Sequence, residues 1–202
     1  MRLHDHLPSG NGYKVRLLLA QLGVPFERIE YDIDEGETRT PEFLEKVNSN
    51  GRVPVLETDD GELLPESNAI LFYLADGTHF LPDGRLERTR VLQWMFFEQY
   101  SHEPNIATPR FWITHRVEMN EERRLSIETK RKLGYDALGV MERHLQDNDF
   151  FVAGRYSIAD IALFAYTHVA DEGGFDLSGF PATLAWIERV KTQPGHVPIT
   201  QV

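Results

Sequence analysis

Apolar and polar positions near the start of the chain follow two different periods. Residues 1–6 form a short, partly apolar segment typical of a strand. An apolar run at helical spacing follows from about Asn11 to Gly23. Residues 26–33 then alternate between apolar and polar side chains, as strand residues do. A strand, a helix and a second strand in this order predict a parallel crossover.

The next stretch predicts a helix, a hairpin and another helix. Residues 41–47 have a short helical pattern that begins with proline, a residue favoured in the first helical turn. Asp60–Gly61 separates two apolar runs and is a typical hairpin turn. Residues 67–75 form an apolar-rich helical pattern. The predicted order up to this point is β-α-β-α-β-β-α.

The pattern changes after residue 77. Residues 78–84 are rich in turn formers and predict a linker. Beyond it only helical spacing recurs, over residues 85–100, 121–145, 157–171 and 182–191. We therefore expect an α/β domain at 1–77, the linker at 78–84 and an all-α domain at 85–202.

Composition narrows the class of protein. A chain of 202 residues is long enough for a substantial core, and the absence of cysteine excludes disulfides, zinc–cysteine sites and a protein thiol nucleophile. A net charge of −11 argues against nucleic acid as a partner. No signal peptide is recognisable, and no apolar run approaches the roughly 18 residues of a membrane span. These features predict a soluble cytoplasmic protein with no membrane partner.

The eight histidines do not predict a metal site. His4 and His6 share a face of the first predicted strand. They lack a paired H-x-x-x-H helix, any cysteine and a clustered third ligand, which protein metal sites use.

Four short motifs stand at defined places in this pattern. Ser9-Gly10-Asn11 precedes KVRLLLAQLG, and NGRVPVL, PESNAI and SIAD occupy residues 50–56, 65–70 and 157–160. In this order the motifs are specific, and over essentially the whole chain they resemble the cytosolic glutathione S-transferase superfamily, in its bacterial-type serine/asparagine-site branch. The resemblance implies a thioredoxin-like N-terminal domain, an all-α C-terminal domain, glutathione as co-substrate without metal, and a two-fold homodimer.

The resemblance assigns a peptide-binding role to the RVPVL motif. It implies a cis Val53–Pro54 bond, with the Val53 main chain pairing with glutathione as a strand would. The alternative is a proline that merely starts an edge strand. Arg52 is a possible partner of the glycine carboxylate of glutathione, and a solvated surface arginine is the other interpretation.

Glu66 and Ser67 pair a carboxylate with a hydroxyl at the start of a predicted helix. Ser67 and the first helical amides can receive a carboxylate, while Glu66 can receive an ammonium group. The γ-glutamyl end of glutathione carries one of each. Simple N-capping by Ser67 is the alternative, and the two roles are compatible.

The resemblance places the thiol-activating residue at the first strand–helix junction. A thiol with a pKa of about 8.5 is only a few per cent ionised at pH 7, and lowering that pKa by about two units requires about 2.7 kcal/mol. One hydrogen bond to the anion, worth about 1.5–3 kcal/mol, would suffice. Ser9 is the leading donor and Asn11 the second. Tyr13 is a competing hydroxyl, and a purely structural N-cap role for Ser9 also stays open.

Ser157 and Asp160 have the spacing of a capping box, so we interpret SIAD as structural. The aromatic-rich segment 96–112 is a possible wall for the electrophile, or simply a packed helix.

The function we expect is that of a glutathione transferase acting on a small electrophile. A glutathione-dependent disulfide-bond reductase or peroxidase is the alternative of the same fold, and a catalytically silent binding module is the alternative from another class.

Overall fold

The computed structural model describes residues 1–201, which form two compact units. The first unit comprises residues 1–78 and the segment that starts at Pro194, and the second comprises residues 79–193. The sequence instead predicts that this last segment belongs to the all-α domain of residues 85–202; Val202 lies outside the described range. The predicted linker also differs, because Phe80 and Leu81 are buried and the Phe80 carbonyl accepts a hydrogen bond from Ile158 N in the second unit.

The first unit has the predicted order of elements. They are β1 (Arg2–Asp5), α1 (Gly10–Leu22), β2 (Glu27–Glu30), α2 (Pro41–Lys46), β3 (Val55–Glu57), β4 (Leu63–Pro65) and α3 (Ser67–Ala75), with a 3-10 turn at Glu37–Arg39. The four strands form one sheet in the order β2-β1-β3-β4. β1 and β2 are parallel, as the crossover predicted, and the other two pairs are antiparallel.

The strand register gathers three chain segments at one edge of the sheet. His4 lies opposite Val55, and Val55 lies opposite Pro65. The end of β1, the start of β3 and the end of β4 are therefore neighbours. This edge carries the loops with the motifs of residues 9–11, 52–54 and 66–67.

Helix α1 is held by its C-cap and by core contacts along its length. Its C-cap is Gly23, whose φ of 65° is a left-handed conformation that glycine adopts without strain. Its buried side chains join a core with β1, β3 and α3, made of Leu3, Val15, Leu19, Leu56 and Ile70. Burial of this apolar surface fixes the helix against the sheet.

The segment from Pro194 returns to the first unit and binds α1; we call it the tail. Tyr13 Oη donates to Val197 O over 2.7 Å. Arg16 donates from one guanidinium nitrogen to Ile199 O and Gln201 O, over 2.9 and 3.0 Å. These bonds explain why the tail belongs with the α/β unit, which local sequence patterns did not indicate.

The second unit is helical. Its helices are α4 (Arg85–Phe97), α5 (Glu103–Thr114), α6 (Glu121–Leu145), α7 (Ile158–Thr167) and α8 (Pro181–Lys191), with a π-helical turn at Glu98–His102 and a 3-10 turn at Ala170–Gly173. The bounds of α6 match the prediction. Helix α5 overlaps segment 96–112, for which a packed helix was one of the two interpretations, and the helix expected over 157–171 ends at Thr167. Within residues 1–201, no helix has the length and apolar character needed to cross a bilayer.

The SIAD motif forms the predicted capping box at the start of α7. Ser157 Oγ accepts a hydrogen bond from the helix, and Asp160 Oδ2 accepts one from Ser157 N over 3.0 Å. Asp160 Oδ1 also accepts from Trp186 Nε1 over 2.9 Å. Asp160 is fully buried, and burial raises its pKa to about 6. The motif is therefore a structural junction between α7 and α8.

Candidate functional site

The sheet edge brings two of the predicted site residues into direct contact. Ser67 Oγ donates to Asn11 Oδ1 over 3.3 Å, which joins the first turn of α3 to the first turn of α1. Glu66 directly precedes Ser67, and Val53 comes just before β3, whose start pairs with the ends of β1 and β4. The candidate site thus lies where the N-termini of two helices meet one end of the sheet.

Ser9 is the N-cap of α1. Its backbone is extended, with φ −68° and ψ 123°, and its Oγ accepts a hydrogen bond from Gly12 N over 3.2 Å. A serine hydroxyl has one proton to donate besides its two acceptor positions. Capping therefore uses the oxygen of Ser9 and leaves its donor capacity, so a role toward a ligand stays a prediction.

Asn11 lies in the first turn of α1, and its carboxamide oxygen accepts from two donors. Lys14 Nζ donates to Oδ1 over 2.8 Å, and the Ser67 hydroxyl is the second donor. The two donors engage the acceptor end of the amide. Since the oxygen and the nitrogen occupy different bonds of the planar carboxamide and only the oxygen accepts, the NH₂ group faces a direction other than that of the two donors.

Gly12 is required by a close approach inside the protein. A Cβ at this position would lie 1.7 Å from Asp5 Oδ1, closer than any real contact. The neighbour that the structure identifies is the carboxylate at the end of β1.

Asp5 is fully buried and forms an ion pair with Arg16, whose Nε lies 2.9 Å from Asp5 Oδ2. Burial raises the pKa of Asp5, and the positive charge of Arg16 opposes this rise. The Arg16 guanidinium also donates to Leu7 O over 2.6 Å. Arg16 thereby links the loop that precedes Ser9 to the tail.

The Val53–Pro54 peptide bond is cis, as the resemblance implied. Neither the N–H nor the C=O of Val53 takes part in a hydrogen bond found among residues 1–201. The Arg52 side chain is exposed, while its carbonyl accepts from Asn48 Nδ2 over 2.9 Å. The main chain of Val53 is therefore available to pair with an extended peptide.

Glu66 has an unusual backbone conformation. Its φ is 73° and its ψ 107°, a combination that costs a non-glycine residue about 1–3 kcal/mol. The Glu66 side chain is exposed, whereas Ser67 beside it is buried. A strained residue next to a helix N-terminus is typical of a functional site.

The Tyr13 hydroxyl binds the tail. Its side chain is fully buried and its hydroxyl donates to the tail at Val197 O. Burial raises its pKa far above the ordinary value. The competing hydroxyl considered from the sequence is therefore already engaged in holding the tail.

His4, in β1, and His6, just after it, both contact Tyr31. His4 Nδ1 lies 2.9 Å from Tyr31 Oη, and His6 Nδ1 lies 3.0 Å from Tyr31 O. In the described part of the chain, no three His, Asp or Glu side chains are grouped as metal ligands. A cavity of about 590 Å³ beside His4 and α2 includes none of the predicted site residues in its lining.

Two buried cations near the site were not identified from the sequence. Lys14 contacts Asn11 and Ser67, and Arg16 contacts Asp5 and the tail. Both lie within the otherwise apolar run KVRLLLAQL and are almost inaccessible to solvent. The i, i+3 spacing of Asn11 and Lys14 was the available signal, since such pairs are neighbours on a helix.

Comparison with known proteins identifies the family. The N-terminal domain model of glutathione S-transferase matches residues 1–76, and its C-terminal domain model matches residues 98–194. A glutathione S-transferase of Pseudomonas fluorescens [Pf-5] is 53% identical, with a TM-score of 0.95 and coverage of 99% of this chain and 98% of that one. This chain belongs to the glutathione S-transferase family.

Two more distant relatives are described by a disulfide activity or by a bound glutathione disulfide. The disulfide-bond oxidoreductase YfcG of Escherichia coli (strain K12) is 31% identical, over 93% of this chain and 88% of YfcG. The glutathione transferase URE2P6 of Phanerochaete chrysosporium, solved in complex with oxidized glutathione, is 30% identical. Its TM-score is 0.85, with coverage of 96% of this chain and 91% of that chain.

Proposed function

We propose that the chain binds glutathione at the sheet edge, keeps its sulfur as the thiolate and uses it to attack a small electrophile. The observation that carries this proposal is the hydrogen bond between Ser67 Oγ and Asn11 Oδ1. It places the residue proposed for the γ-glutamyl carboxylate directly beside a residue proposed for the sulfur. Family membership and a relative solved with oxidized glutathione support the choice of ligand.

The proposed binding mode uses groups from all three segments of the sheet edge. Ser67 and the N-terminus of α3 would receive the γ-glutamyl carboxylate, and the exposed Glu66 its ammonium group. The main chain of Val53 would pair with the cysteinyl residue as a strand does. Arg52 would meet the glycine carboxylate at the exposed end.

The proposed thiolate donors are Asn11 and Ser9. The Asn11 amide presents an NH₂ group whose direction is set by the two donors on its oxygen. Ser9 supplies a hydroxyl whose oxygen already accepts from Gly12 N. This arrangement favours Asn11 as the stronger donor, the reverse of the order expected from the sequence.

Ser67→Ala tests the binding mode. We expect a loss of glutathione affinity of at least about tenfold, since a hydrogen bond to a charged group is worth about 1.5–3 kcal/mol. Isothermal titration calorimetry measures it, with Ser126→Ala in α6 as the control that should bind like the wild type. Unchanged affinity in Ser67→Ala would remove this residue from the proposed site.

Reduction of disulfides is the second candidate reaction, favoured by the similarity to YfcG and to a relative solved with oxidized glutathione. In that reaction the glutathione thiolate attacks a disulfide sulfur and one substrate thiolate leaves. A second glutathione then attacks the mixed disulfide, so two glutathiones are oxidised while the substrate gains two protons and two electrons.

Parallel assays separate these functions. Conjugation of glutathione to a chlorodinitrobenzene, with release of chloride, tests transferase activity. Reduction of a small organic disulfide and of an organic peroxide tests the alternatives. We expect turnover of the chloroarene, and turnover of the disulfide alone would establish the second candidate. Glutathione binding without turnover of any substrate would indicate the silent binding module.

We also propose a two-fold homodimer and an aromatic contribution of segment 96–112 to the electrophile site. Phe96 and Tyr100 in this segment are 70% and 87% exposed, which is unusual for large apolar side chains. A second copy or a substrate would cover them. Light scattering at micromolar concentration should give a mass of about twice 23.3 kDa, and a mass near 23.3 kDa would contradict the dimer.

A further inference from the structure

Lys14 lies inside the first unit rather than at its surface. Its side chain is fully buried, although lysine is among the residues least often buried. Its Nζ lies 2.8 Å from Asn11 Oδ1 and 3.4 Å from Ser67 Oγ, and those two oxygens are 3.3 Å apart. The ammonium group therefore completes a triangle with the two contacting residues of the site.

A buried ammonium group is costly, because removing it from water carries a penalty of several kcal/mol even in a relaxed protein. Methionine has a similar length and would fill the same position of an apolar helix face without that penalty. Packing alone therefore does not explain a lysine at this position. A role in the site accounts for it.

The chemistry of the ammonium group decides the orientation of Asn11. An ammonium group has three donors and no acceptor, so only the carboxamide oxygen of Asn11 can face it. With an apolar residue at position 14, the hydroxyl of Ser67 could pair with either end of a rotated amide, since a hydroxyl both donates and accepts. Lys14 thus removes the alternative in which the NH₂ group of Asn11 points inward.

We propose that Lys14 is a positioning residue, which fixes the Asn11 amide so that its NH₂ group faces the glutathione sulfur and couples this amide to Ser67. The proposal rests on the proposed function of the sheet edge. Lys14 itself does not touch the substrate. It acts through Asn11 and Ser67, and its positive charge lies close to the two places proposed for the anionic groups of the ligand.

A double-mutant cycle between positions 14 and 11 tests the proposal. The pKa of bound glutathione is measured by ultraviolet titration of the thiolate at saturating glutathione, in the wild type, Lys14→Met, Asn11→Ala and the double variant. We expect Lys14→Met to raise this pKa by about one unit, a tenfold loss of thiolate below the pKa. Asn11→Ala should add less than about 0.3 unit in the Lys14→Met background, because the amide is then no longer oriented.

Two controls separate this role from a structural one. Lys46→Met removes an exposed lysine of the same unit, paired with Glu42, and should leave the thiol pKa unchanged because solvent and salt screen its charge. Chemical unfolding of Lys14→Met should show stability equal to or above that of the wild type, because the substitution removes a buried charge whose transfer from water costs several kcal/mol and which contacts the neutral side chains of Asn11 and Ser67. Lys14→Gln, which is also neutral, provides the same titration if the methionine variant does not fold.

The outcomes are distinct. Additive effects of the two substitutions, or an unchanged thiol pKa in Lys14→Met and Lys14→Gln, would overturn the positioning role while leaving the proposed function intact. Loss of stability in Lys14→Met with no change of thiol pKa would show a purely structural lysine and would also overturn it. A wild-type protein that does not bind glutathione in calorimetry would overturn both the proposed function and this inference.

Discussion

The two serine-capped helices α1 and α7 begin alike and differ at their third residue. Ser9 caps α1 and Ser157 caps α7. The third residue of α7 is Asp160, which completes a capping box, whereas the third residue of α1 is Gly12 and its first turn holds no acidic side chain. The same N-cap residue therefore introduces two different kinds of helix N-terminus.

Each of these helix starts nevertheless has an aspartate beside it, and the two carboxylates are used differently. Asp160 belongs to α7 and binds the cap and Trp186. Asp5 comes from β1, occupies the space where a side chain of Gly12 would lie, and pairs with Arg16. In a capping box, side chains of the helix itself accept hydrogen bonds from the first backbone N–H groups. In α1 no acidic side chain of the first turn neutralises the positive end, which is what an anionic ligand requires.

Removal of Asp160 has the largest effect that this comparison predicts. Asp160→Ala should lower the free energy of unfolding by about 3–5 kcal/mol, because it leaves buried donors of Phe151, Ser157 and Trp186 without their acceptor. Denaturant unfolding measures the change. The matched control is Asp176→Ala, which removes an exposed carboxylate bound to Ser178 and should cost less than about 1 kcal/mol.

A loss below about 1 kcal/mol in Asp160→Ala would contradict this account. It would mean that water or a rearranged loop satisfies the donors of the capping box. The two helix starts would then not differ in the way that the structure indicates.

The pH dependence of stability tests the burial of the same carboxylate. The pKa of Asp160 is about 6 in the folded protein, against an ordinary value of 3.8. Between these values the folded protein holds a proton that the unfolded chain has released. Stability from this group therefore increases as pH falls from about 6 to about 4, is fully present below the lower value and is lost as pH rises through the upper one.

Asp160→Asn isolates this contribution, because asparagine does not titrate and the other groups cancel in the difference between the two proteins. Between pH 7 and pH 4.5, the stability of the wild type relative to Asp160→Asn should increase by about 2 kcal/mol, at 1.36 kcal/mol per unit. Denaturant unfolding at both values measures it. A difference that is constant with pH would show that Asp160 is ionised at both pH values.

Gly12→Ala tests the other helix start. A Cβ at Gly12 would overlap the Asp5 carboxylate, so we expect a loss of stability of about 1–3 kcal/mol from overpacking. The matched control is Gly139→Ala inside α6, where the nearest contact of a Cβ is an arginine nitrogen at 3.4 Å. That substitution should stabilise the protein by about 0.5–1 kcal/mol, because alanine is the better helix former. Equal effects of the two substitutions would contradict the close approach to Asp5.

Local signals account for the parts of the fold that could be predicted from the sequence. Periodicity predicted the bounds of α3 and α6, and the Asp60–Gly61 turn predicted the hairpin of β3 and β4. The capping box was also predictable, because its two residues lie three positions apart. In each case the deciding interactions connect residues close in sequence.

The remaining features depend on residues far apart in sequence. The tail is held by Tyr13 and Arg16 more than 180 positions away, so no local pattern identified it. Helix α5 has proline as its second residue and follows a π-helical turn, so no continuous helical period marks where it begins. Lys14 has the pattern of a helix-forming surface lysine, and only the packing of α1 against α3 makes it buried beside Ser67.

The smallest effect expected is a difference between two neighbouring donors of α1. The sequence favours Ser9 over Asn11 as the thiolate donor, whereas in the structure the Ser9 oxygen accepts from Gly12 N and Asn11 Oδ1 accepts from Lys14 Nζ. We therefore expect Asn11→Ala to raise the pKa of bound glutathione by about one unit, equivalent to 1.36 kcal/mol. Ser9→Ala should raise that pKa by less.

Stability supplies the complementary measurement for the same two variants. Ser9→Ala removes an N-cap and should lower the free energy of unfolding by about 1 kcal/mol, as such substitutions typically do. Asn11→Ala should lower the free energy of unfolding by less than about 1.36 kcal/mol, which is the free energy equivalent of its expected shift in the thiol pKa. Ultraviolet titration of the bound thiolate and denaturant unfolding give the two values for each protein. If Ser9→Ala gave the larger shift of the thiol pKa, the hydroxyl would be the main donor, and α1 would use one serine for both capping and catalysis.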